Sequence, residues 1–528
     1  MRKNFSKQTR LDCRTVLDVE LNLNCRHEIV PILRALQHIY SQPELRKAIL
    51  DLIAQDVNRD ARDDCGREGL DYWQIAVLAA VRLGCGLDYD ELQDLAEQHR
   101  ALRHIMGIGD WDKTTNFSWR RIHDNVCLLQ SATIEKINHL VVAAGHRLDP
   151  NAAKTVRADS FVVKTNIHYP SESSLMLDGV RLILQLCVLL ATQFGLEGWR
   201  QHEHLLKKVK KIARNIQRIS SRKGPNYEKR LNKQYRALLK RTSKILRRAQ
   251  RLCAELQERR LSPIELGQLD RLKTFIKRTE QVRDTARRRV VLGEKVPNQD
   301  KLFSIFEPHT QLYKRGKAGE PVQFGRLVLM YEDGAGFISH YHVMPRNVQD
   351  RDVVVEQTQI LQDRLHGQIE EASFDCGFHS PENQTKLAEI LKYPCLPKPG
   401  SKQSVEQQAT ATIKFHLARQ RHAGVESTIG ALQSGNGLKR CRDRGELGFE
   451  RYVALAVLGR NLHTLGRLLI AQTAIVKRPK ANASRPHNAA GSPAFSLHYP
   501  PMRELLRASG ARRLRRLAAR PHAGQNHP

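Results

Sequence analysis

Three acidic residues are candidates for a chemical role, because each is either unusual at its position or the only acid in its segment. Asp159 lies in RADSFVVKTNIHYP, a run of β-branched and apolar residues in which aspartate is disfavoured because its side chain competes for backbone hydrogen bonds. Asp375 ends the apolar run of ASFDCGFHSPENQ, and Glu426 is the only acidic residue between Glu406 and Asp443. Carboxylates that meet at one point repel each other unless a cation lies between them, and a hard divalent ion suits oxygen ligands.

Each acid also has a structural interpretation. A lone glutamate on a helix is usually solvated, and Asp375 alone could cap a helix. Asp159 has the weakest such explanation, because an aspartate in a buried strand is costly to desolvate. The sequence therefore predicts that Asp159, Asp375 and Glu426 form one metal site, provided that the fold brings them together.

The elements around these acids follow a recognisable order. From residue 320 the pattern has period two, and VQFGRLVLMY and GFISHYHVM flank the turn residues 332–336, which predicts a hairpin. After the hairpin, the sequence predicts a helix RDVVVEQTQILQDRL and a strand IEEASF. It then predicts a helix with Ser380 as N-cap and Pro381 as first residue, a strand YPCLP and a helix over 410–433. With the Asp159 strand first and a long insertion after it, this is the ribonuclease H order, in which the first and fourth strands lie side by side.

Residues 1–150 have helical apolar spacing, as in YWQIAVLAAVRL before Gly84. In KTTNFSWRRIHDNVCLL, Thr115 is a candidate N-cap of a short basic helix that carries Arg120 and Arg121. A short helix, a turn and a basic helix suggest a helix-turn-helix reader of a DNA groove. An ordinary helical bundle with a solvated basic face is the alternative.

The positive charge is concentrated in two segments. The formal net charge is +32; residues 201–290 hold 28 Lys or Arg and 8 Asp or Glu, and residues 471–528 hold 11 and 1. Apolar seams at three-four spacing through 201–290 predict a helical hairpin or a three-helix coiled coil. Because the exposed face does not mix signs, we expect it to contact DNA phosphates, through Lys207, Lys208, Lys210 and Lys211 among others. A dimerisation coiled coil is the alternative.

Composition excludes other classes of protein. The ten cysteines include no CxxC pair, which disfavours structural zinc and a disulfide framework and favours a reducing cytosol. The most apolar run, residues 182–194, is shorter than the ~20 residues that a bilayer needs and follows Asp178 and Arg181, so it predicts a core helix and no membrane association.

The chain resembles the DDE transposases of bacterial insertion sequences, and within them the ISNCY group. The resemblance spans about residues 70–470 and rests on four motifs: RADSFVVKTNIHYPSESSLMLDGVR, LFSIFEPHTQLYKRGKAGEPVQFG followed by YEDGAGFISHYHVM, SFDCGFHSPENQ and HAGVESTIGALQSGNGLKRCRDRG. It implies a ribonuclease H-like domain whose Asp159, Asp375 and Glu426 bind two Mg²⁺ ions, with Mn²⁺ able to replace them. Hydrolysis at the transposon ends would be followed by strand transfer into a target.

The chain departs from the pattern of some related enzymes, which carry Tyr, Arg, Glu and Lys along the last helix. The equivalent spacing here gives Arg419, His422, Glu426 and Gln433. Contact with DNA phosphates is therefore assigned to a wider set of side chains: Arg419, Arg421, His422, Lys439 and Arg440. The helical insertion also lies between the first and second strands rather than after the fifth.

The resemblance also implies partners and a location. These are double-stranded DNA at the transposon ends and target, a homodimer or higher oligomer on DNA, and a bacterial cytoplasm with association to the nucleoid. One alternative is a ribonuclease H-fold nuclease without strand transfer. The other is a non-catalytic DNA-binding relative, which would have no need to keep all three acids.

The predicted fold class is multidomain α+β, with a mixed-sheet ribonuclease H-like domain, an all-helical N-terminal domain and a helical coiled-coil insertion. The expected boundaries are 1–150 for the helical DNA-binding domain, 151–200 and 301–475 for the catalytic domain, 201–300 for the basic insertion and 476–528 for a basic, mostly disordered tail.

Overall fold

The computed structural model describes residues 11–59, 69–314, 320–398 and 413–476. The predicted basic tail after residue 476 lies outside the described residues. Two features of the described chain position the candidate site, namely a six-stranded mixed sheet and the helices that cover both of its faces.

The N-terminal part is helical, as the apolar spacing predicts. Its described helices are α1 (Ile29–Ser41), α2 (Pro43–Asn58), α3 (Tyr72–Gly84), α4 (Tyr89–Gln98), α5 (Arg100–Ile105), α6 (Trp119–Val126) and α7 (Ser131–Leu148). Asp71 and Gln74 form a capping box at the start of α3, which ends at Gly84. The prediction of a helix over YWQIAVLAAVRL is therefore confirmed.

The start of α6 differs from the prediction. Ser118, not Thr115, is the N-cap residue, and its hydroxyl accepts a hydrogen bond from the Arg121 backbone N–H at 3.3 Å. Thr115 instead donates its hydroxyl to Asp112 at 2.9 Å. Residues 106–118 separate α5 from α6, a connection longer than the 3–4-residue turn of a helix-turn-helix motif.

Four packed helices span residues 172–286, and three of them lie within the segment 201–290, where a helical hairpin or a three-helix coiled coil is predicted. The four are α8 (Glu172–Gln193), α9 (His202–Arg222), α10 (Tyr227–Gln257) and α11 (Pro263–Ala286). The predicted seams are buried, and α8 contributes the added helix by packing its apolar face against α10 and α11. Gly179 of α8 lies so close to Thr279 of α11 that a Cβ would collide with it. Core burial therefore explains the apolar run of residues 182–194.

Six strands form one sheet. They are β1 (Thr155–Lys164), β2 (Gln311–Lys314), β3 (Val322–Asp333), β4 (Ile338–Val343), β5 (Glu371–Ser373) and β6 (Tyr393–Cys395). The order is β2-β3-β1-β5-β6, and β4 also pairs with β3. β1 pairs antiparallel with β3 and parallel with β5. The predicted hairpin is β3–β4, whereas the four-residue β2 was not predicted.

The helices after β4 are α12 (Asp350–Arg364), α13 (Pro381–Ile390), α14 (Ile413–His422), α15 (Val425–Gly435) and α16 (Glu446–Val476). Ser380 caps α13, and Pro381 is its first residue, as predicted. The single helix expected over 410–433 is wrong, because the described part of it is broken between His422 and Val425. Arg419 and Glu426 therefore lie on two different helices.

The sheet is covered on both faces. Helices α12 and α13 pack on one face, while the N-terminal helices, α15 and α16 share a continuous apolar core with the other. The α3 and α16 backbones touch at Gly84 and Gly459, where a Cβ on Gly459 would lie 2.5 Å from the Gly84 nitrogen. The N-terminal helices are thus packed into the same core as the sheet.

Two described helices, 172–193 and 446–474, are long and apolar enough to cross a membrane by length and composition alone. Both are mostly buried inside the structure, as expected for the core helices of a folded domain. They do not indicate a membrane protein.

Candidate metal and DNA site at the end of the sheet

Asp159 and Asp375 lie at the same level of two neighbouring strands. β1 and β5 run parallel, with Arg157 opposite Ser373, and β5 ends at Ser373. Two residues further along each chain are Asp159 on β1 and Asp375 in the loop that follows β5. Because side chains alternate along a strand, both positions belong to the sheet face that α14 and α15 cover.

Local hydrogen bonds fix both aspartates. The Asp375 carboxylate accepts the Cys376 backbone N–H at 2.7 Å and caps the short turn that follows. The Asp159 carboxylate accepts the Ser160 backbone N–H at 2.7 Å and is half-buried. Asp375 therefore has the capping role that the structural interpretation suggested, while its carboxylate remains exposed.

Glu426 lies in the first turn of α15, which packs against β1. Its side chain is exposed, and within the described residues neither Glu426 nor Asp375 forms an ion pair. No three His, Cys, Asp or Glu residues of the described chain lie close enough together to hold a metal ion. The fold thus brings the three predicted elements together without gathering the three carboxylates into a ligating group.

Two other carboxylates on the same face are paired with arginines. Glu332 of β3 lies 2.6 Å from the Arg157 guanidinium, and Glu371 of β5 lies 2.5 Å from the Arg421 guanidinium. Burial raises the pKa of both carboxyl groups, while the adjacent arginine opposes that rise. Glu371, which lies on the strand just before Asp375, is thus held by a cation of the protein.

His422 is buried in the structure, whereas the sequence-based assignment places it among the DNA contacts. Its ring is buried, 3.3 Å from the Ser373 hydroxyl, and burial together with the Arg419 charge lowers its pKa. The helix break after His422 removes the shared helical face on which that assignment depended. Arg419 is half-buried, and its charge also acts on Cys376, next to Asp375.

Lys439 and Arg440 are exposed beyond the far end of β1. Arg440 bridges to Lys164, the last residue of β1, and the Cys441 backbone N–H donates to the Lys164 carbonyl at 2.8 Å. Nearby, Asp443 forms a buried ion pair with Arg82 of α3. The backbone of this basic segment is therefore held by both the sheet and the N-terminal helices.

The other predicted DNA contacts lie elsewhere on the surface. Arg120 is exposed and lies over the Trp119 ring at 5.2 Å, while Arg121 is half-buried and donates to the Asn116 carbonyl at 3.1 Å. All four α9 lysines are exposed. Lys207, Lys210 and Lys211 line a surface depression with further basic residues of α9, whose one acidic residue is Glu203.

Arg157 was not predicted from sequence to belong to the site. It lies two residues before Asp159 in the same strand and hence on the same face. The alternation of side chains along the strand could therefore have identified Arg157 from sequence. Its pairing with Glu332 could not, because it depends on the β1–β3 register, in which Arg157 lies opposite Glu332.

Comparison with protein families bears on the class of this site. Residues 300–462, from just before β2 into α16, match the family described as transposase DDE domain. This segment therefore resembles transposase DDE domains. The match includes Asp375 and Glu426, while Asp159 precedes it, and it is consistent with a DDE transposase of an insertion sequence. Comparisons with curated proteins and with solved structures gave no match.

Enzymes with a DDE domain generally use divalent metals, and the residues present suit such ions chemically. Asp159, Asp375 and Glu426 supply only carboxylate oxygens, the ligands that Mg²⁺ and Mn²⁺ accept. Asp375 and Glu426 are exposed, and their carboxylates are not taken by protein cations of the described chain. The donor set therefore fits a hard divalent ion.

Proposed function

We propose that this chain is a DNA transposase that binds the terminal repeats of its own insertion sequence, cleaves their ends and joins the 3′-hydroxyls to target DNA. One observation carries the proposal. Asp159 of β1 and Asp375, just past the end of the parallel strand β5, each lie two residues beyond the paired residues Arg157 and Ser373, and Asp375 lies within the segment that matches the transposase DDE domain. The match to the transposase DDE domain supports transposase activity, and end binding and strand transfer are the proposed refinement.

The sheet supports a ribonuclease H-like catalytic domain. With β2 set aside, the order is β4-β3-β1-β5-β6; β4 and β1 are antiparallel to β3, and β5 and β6 run parallel to β1. This arrangement makes the Asp159 strand central. It is the arrangement that the sequence pattern of strands and helices predicts.

Asp159, Asp375 and Glu426 would hold two Mg²⁺ ions, or Mn²⁺ in their place. When bound, such ions make water nucleophilic at neutral pH and stabilise charge on the leaving oxygen. The chain itself would position the DNA, with Arg419 beside the Asp375 loop and with Lys439 and Arg440 beyond the end of β1. No protein nucleophile is required, because a DNA 3′-hydroxyl can replace water at the same carboxylates.

The basic helices α9, α10 and α11 would supply much of the affinity for DNA. Helix α9 exposes seven basic side chains against one acidic residue, so its charge is not balanced within the helix. Contacts of this kind are independent of base sequence because they are made to phosphates. Arg120 at α6 is exposed and is the better placed of the two predicted arginines to read a base edge.

The decisive experiment combines cleavage and joining. A labelled duplex carrying the inverted repeats that flank the coding region is incubated with the protein, Mg²⁺ and a target plasmid. We expect end cleavage and a joined product from the wild-type chain. Asp159→Asn, Asp375→Asn and Glu426→Gln should each abolish both, because each keeps the size of the side chain and removes a charge that the ions require.

Glu382→Gln is the matched control. Glu382 is exposed near Asp375 in sequence, but it pairs with Lys386 at 2.6 Å, so its loss should leave cleavage intact. Gel-shift binding in Ca²⁺ checks that each variant still folds and binds ends. Cleavage without joining would favour the nuclease, and full cleavage by any one amide variant would remove that residue from the site.

A further inference from the structure

The junction between α14 and α15 is fastened to the sheet by two arginines. Arg157 of β1 contacts Glu332 of β3 at 2.6 Å and also donates to the Arg421 carbonyl at 2.8 Å. Arg421 in turn contacts both oxygens of Glu371 on β5, at 2.5 and 2.7 Å. The last turn of α14 is thereby tied to three adjacent strands.

The contact at the Arg421 carbonyl satisfies a helix end. Carbonyls in the last turn of a helix lack intrahelical partners. The Arg421 carbonyl instead accepts the Gly424 backbone N–H at 3.1 Å and the Arg157 guanidinium. Arg157 therefore stabilises the point at which the chain leaves one helix and enters the next.

Two further side chains hold the junction against the same strands. His422 lies 3.3 Å from the Ser373 hydroxyl, and the buried Thr428 of α15 hydrogen-bonds Glu332. Glu332 thus accepts hydrogen bonds from both Arg157 and Thr428, which hold the chain before and after the junction. With side-chain exposures of 14% for Arg157 and 5% for Glu332, little solvent is available to replace these bonds.

Glu426 depends on this junction for its position. It is the second residue of α15 and lies between the two fastened points, Arg421 and Thr428. Its own side chain is exposed, so the direction in which it projects is set by the backbone of the junction rather than by packing of the carboxylate.

We propose that Arg157 is a positioning residue for metal binding: its bridge from Glu332 to the Arg421 carbonyl holds the α14–α15 junction so that Glu426 can join Asp159 and Asp375 around a divalent ion. This inference rests on the proposed function. Arg157 carries no ligand role itself, because a guanidinium cation has donors but no acceptor atom to offer a metal. Such outer-sphere residues typically change metal affinity by about 10–100-fold when they are altered.

The test is Mn²⁺ binding to the full chain without DNA, measured by titration calorimetry. Arg157→Lys keeps a positive charge for Glu332, but a single ammonium does not reproduce the planar fork that spans two acceptors. We expect Arg157→Lys to bind Mn²⁺ at least about tenfold more weakly than wild type, with a comparable melting temperature. Cleavage in Mg²⁺ should shift to higher metal concentration in parallel.

Arg326→Lys is the matched control. Arg326 of β3 also joins a carboxylate, Glu446 at 2.7 Å, to a backbone carbonyl, that of Met344 at 2.8 Å, but on a part of the sheet away from the junction. Its replacement should leave Mn²⁺ affinity unchanged. Equal affinity of Arg157→Lys and wild type would overturn the inference, whatever the melting temperatures.

Two further variants keep the outcome interpretable. If Arg157→Lys does not fold, Arg421→Lys tests the other tie of the same junction, that to Glu371, because the Arg421 side chain is half-exposed and is less critical to folding. Asp159→Asn separates the two ideas. If Asp159→Asn binds Mn²⁺ as well as wild type, the proposed metal site is refuted. If Asp159→Asn binds Mn²⁺ more weakly while Arg157→Lys binds it as well as wild type, only the role of Arg157 is refuted.

Discussion

The buried ion pair between Arg82 and Asp443 offers a quantitative test of how the N-terminal helices are joined to the catalytic part. The contacts are 2.6 and 3.2 Å, and the two side chains are 1% and 7% exposed. The guanidinium also lies 3.9 Å from the centre of the Tyr89 ring. Removing one partner of such a pair costs about 3–5 kcal/mol, because the other charge is left buried.

Arg82→Met should fall at the lower end of that range. Arg451 lies 3.7 Å from the Asp443 carboxylate and would partly compensate its charge. We therefore expect the free energy of unfolding to decrease by about 3 kcal/mol. Urea unfolding of both proteins measures the difference. Arg82→Met/Asp443→Leu should be more stable than Arg82→Met, because it leaves no unpaired carboxylate in the interior.

An exposed pair of equal length is the control. Arg100 and Asp110 also meet at 2.6 Å, but their side chains are 73% and 41% exposed. Water and salt screen such a pair, so Arg100→Met should have a much smaller effect. Equal losses in Arg82→Met and Arg100→Met would refute the argument that burial, rather than distance, sets the magnitude.

Three further predictions concern DNA and pH. Changing the four α9 lysines to Gln should weaken binding to all DNA alike and reduce the slope of log K against log salt by up to about 0.9 per lost contact. Lys47→Gln, elsewhere on the surface, is the control and should change that slope less. Arg120→Ala should cost about 1–3 kcal/mol on the cognate end and little on random DNA in gel-shift titrations, if it reads a base. Burial lowers the pKa of His309, His340 and His463 to about 4. Between about pH 6.5 and pH 4, therefore, only the unfolded chain takes up these protons. The free energy of unfolding, measured in urea, should decrease as the pH falls through this range.

The local pattern of the sequence was enough to place two of the three candidate ligands. The strand around Asp159 and the strand before Asp375 each have a clear apolar pattern, and the order of elements makes them neighbours. Ser380 and Pro381 also mark the start of α13 correctly, because capping depends only on adjacent residues. Features determined by nearby residues were therefore predictable.

The position of Glu426 was not predictable for the opposite reason. The break between α14 and α15 is fixed by Arg157, which lies more than 260 residues earlier in the chain. No local signal near Gly424 required a break, since an isolated glycine is tolerated within a helix. In the same way, the burial of His422 follows from contact with Ser373 of β5, which a helical projection does not reveal.

The contact of α3 with α16 has a consequence for synthesis of the chain. The Gly84–Gly459 crossing and the apolar core around it join residues made early to residues made about 375 positions later. At roughly 5–20 residues per second, the ribosome needs on the order of 20–70 s to cover that distance. During this time the apolar faces of the N-terminal helices have no final partner, so nascent chains are expected to occupy chaperones until α16 has emerged.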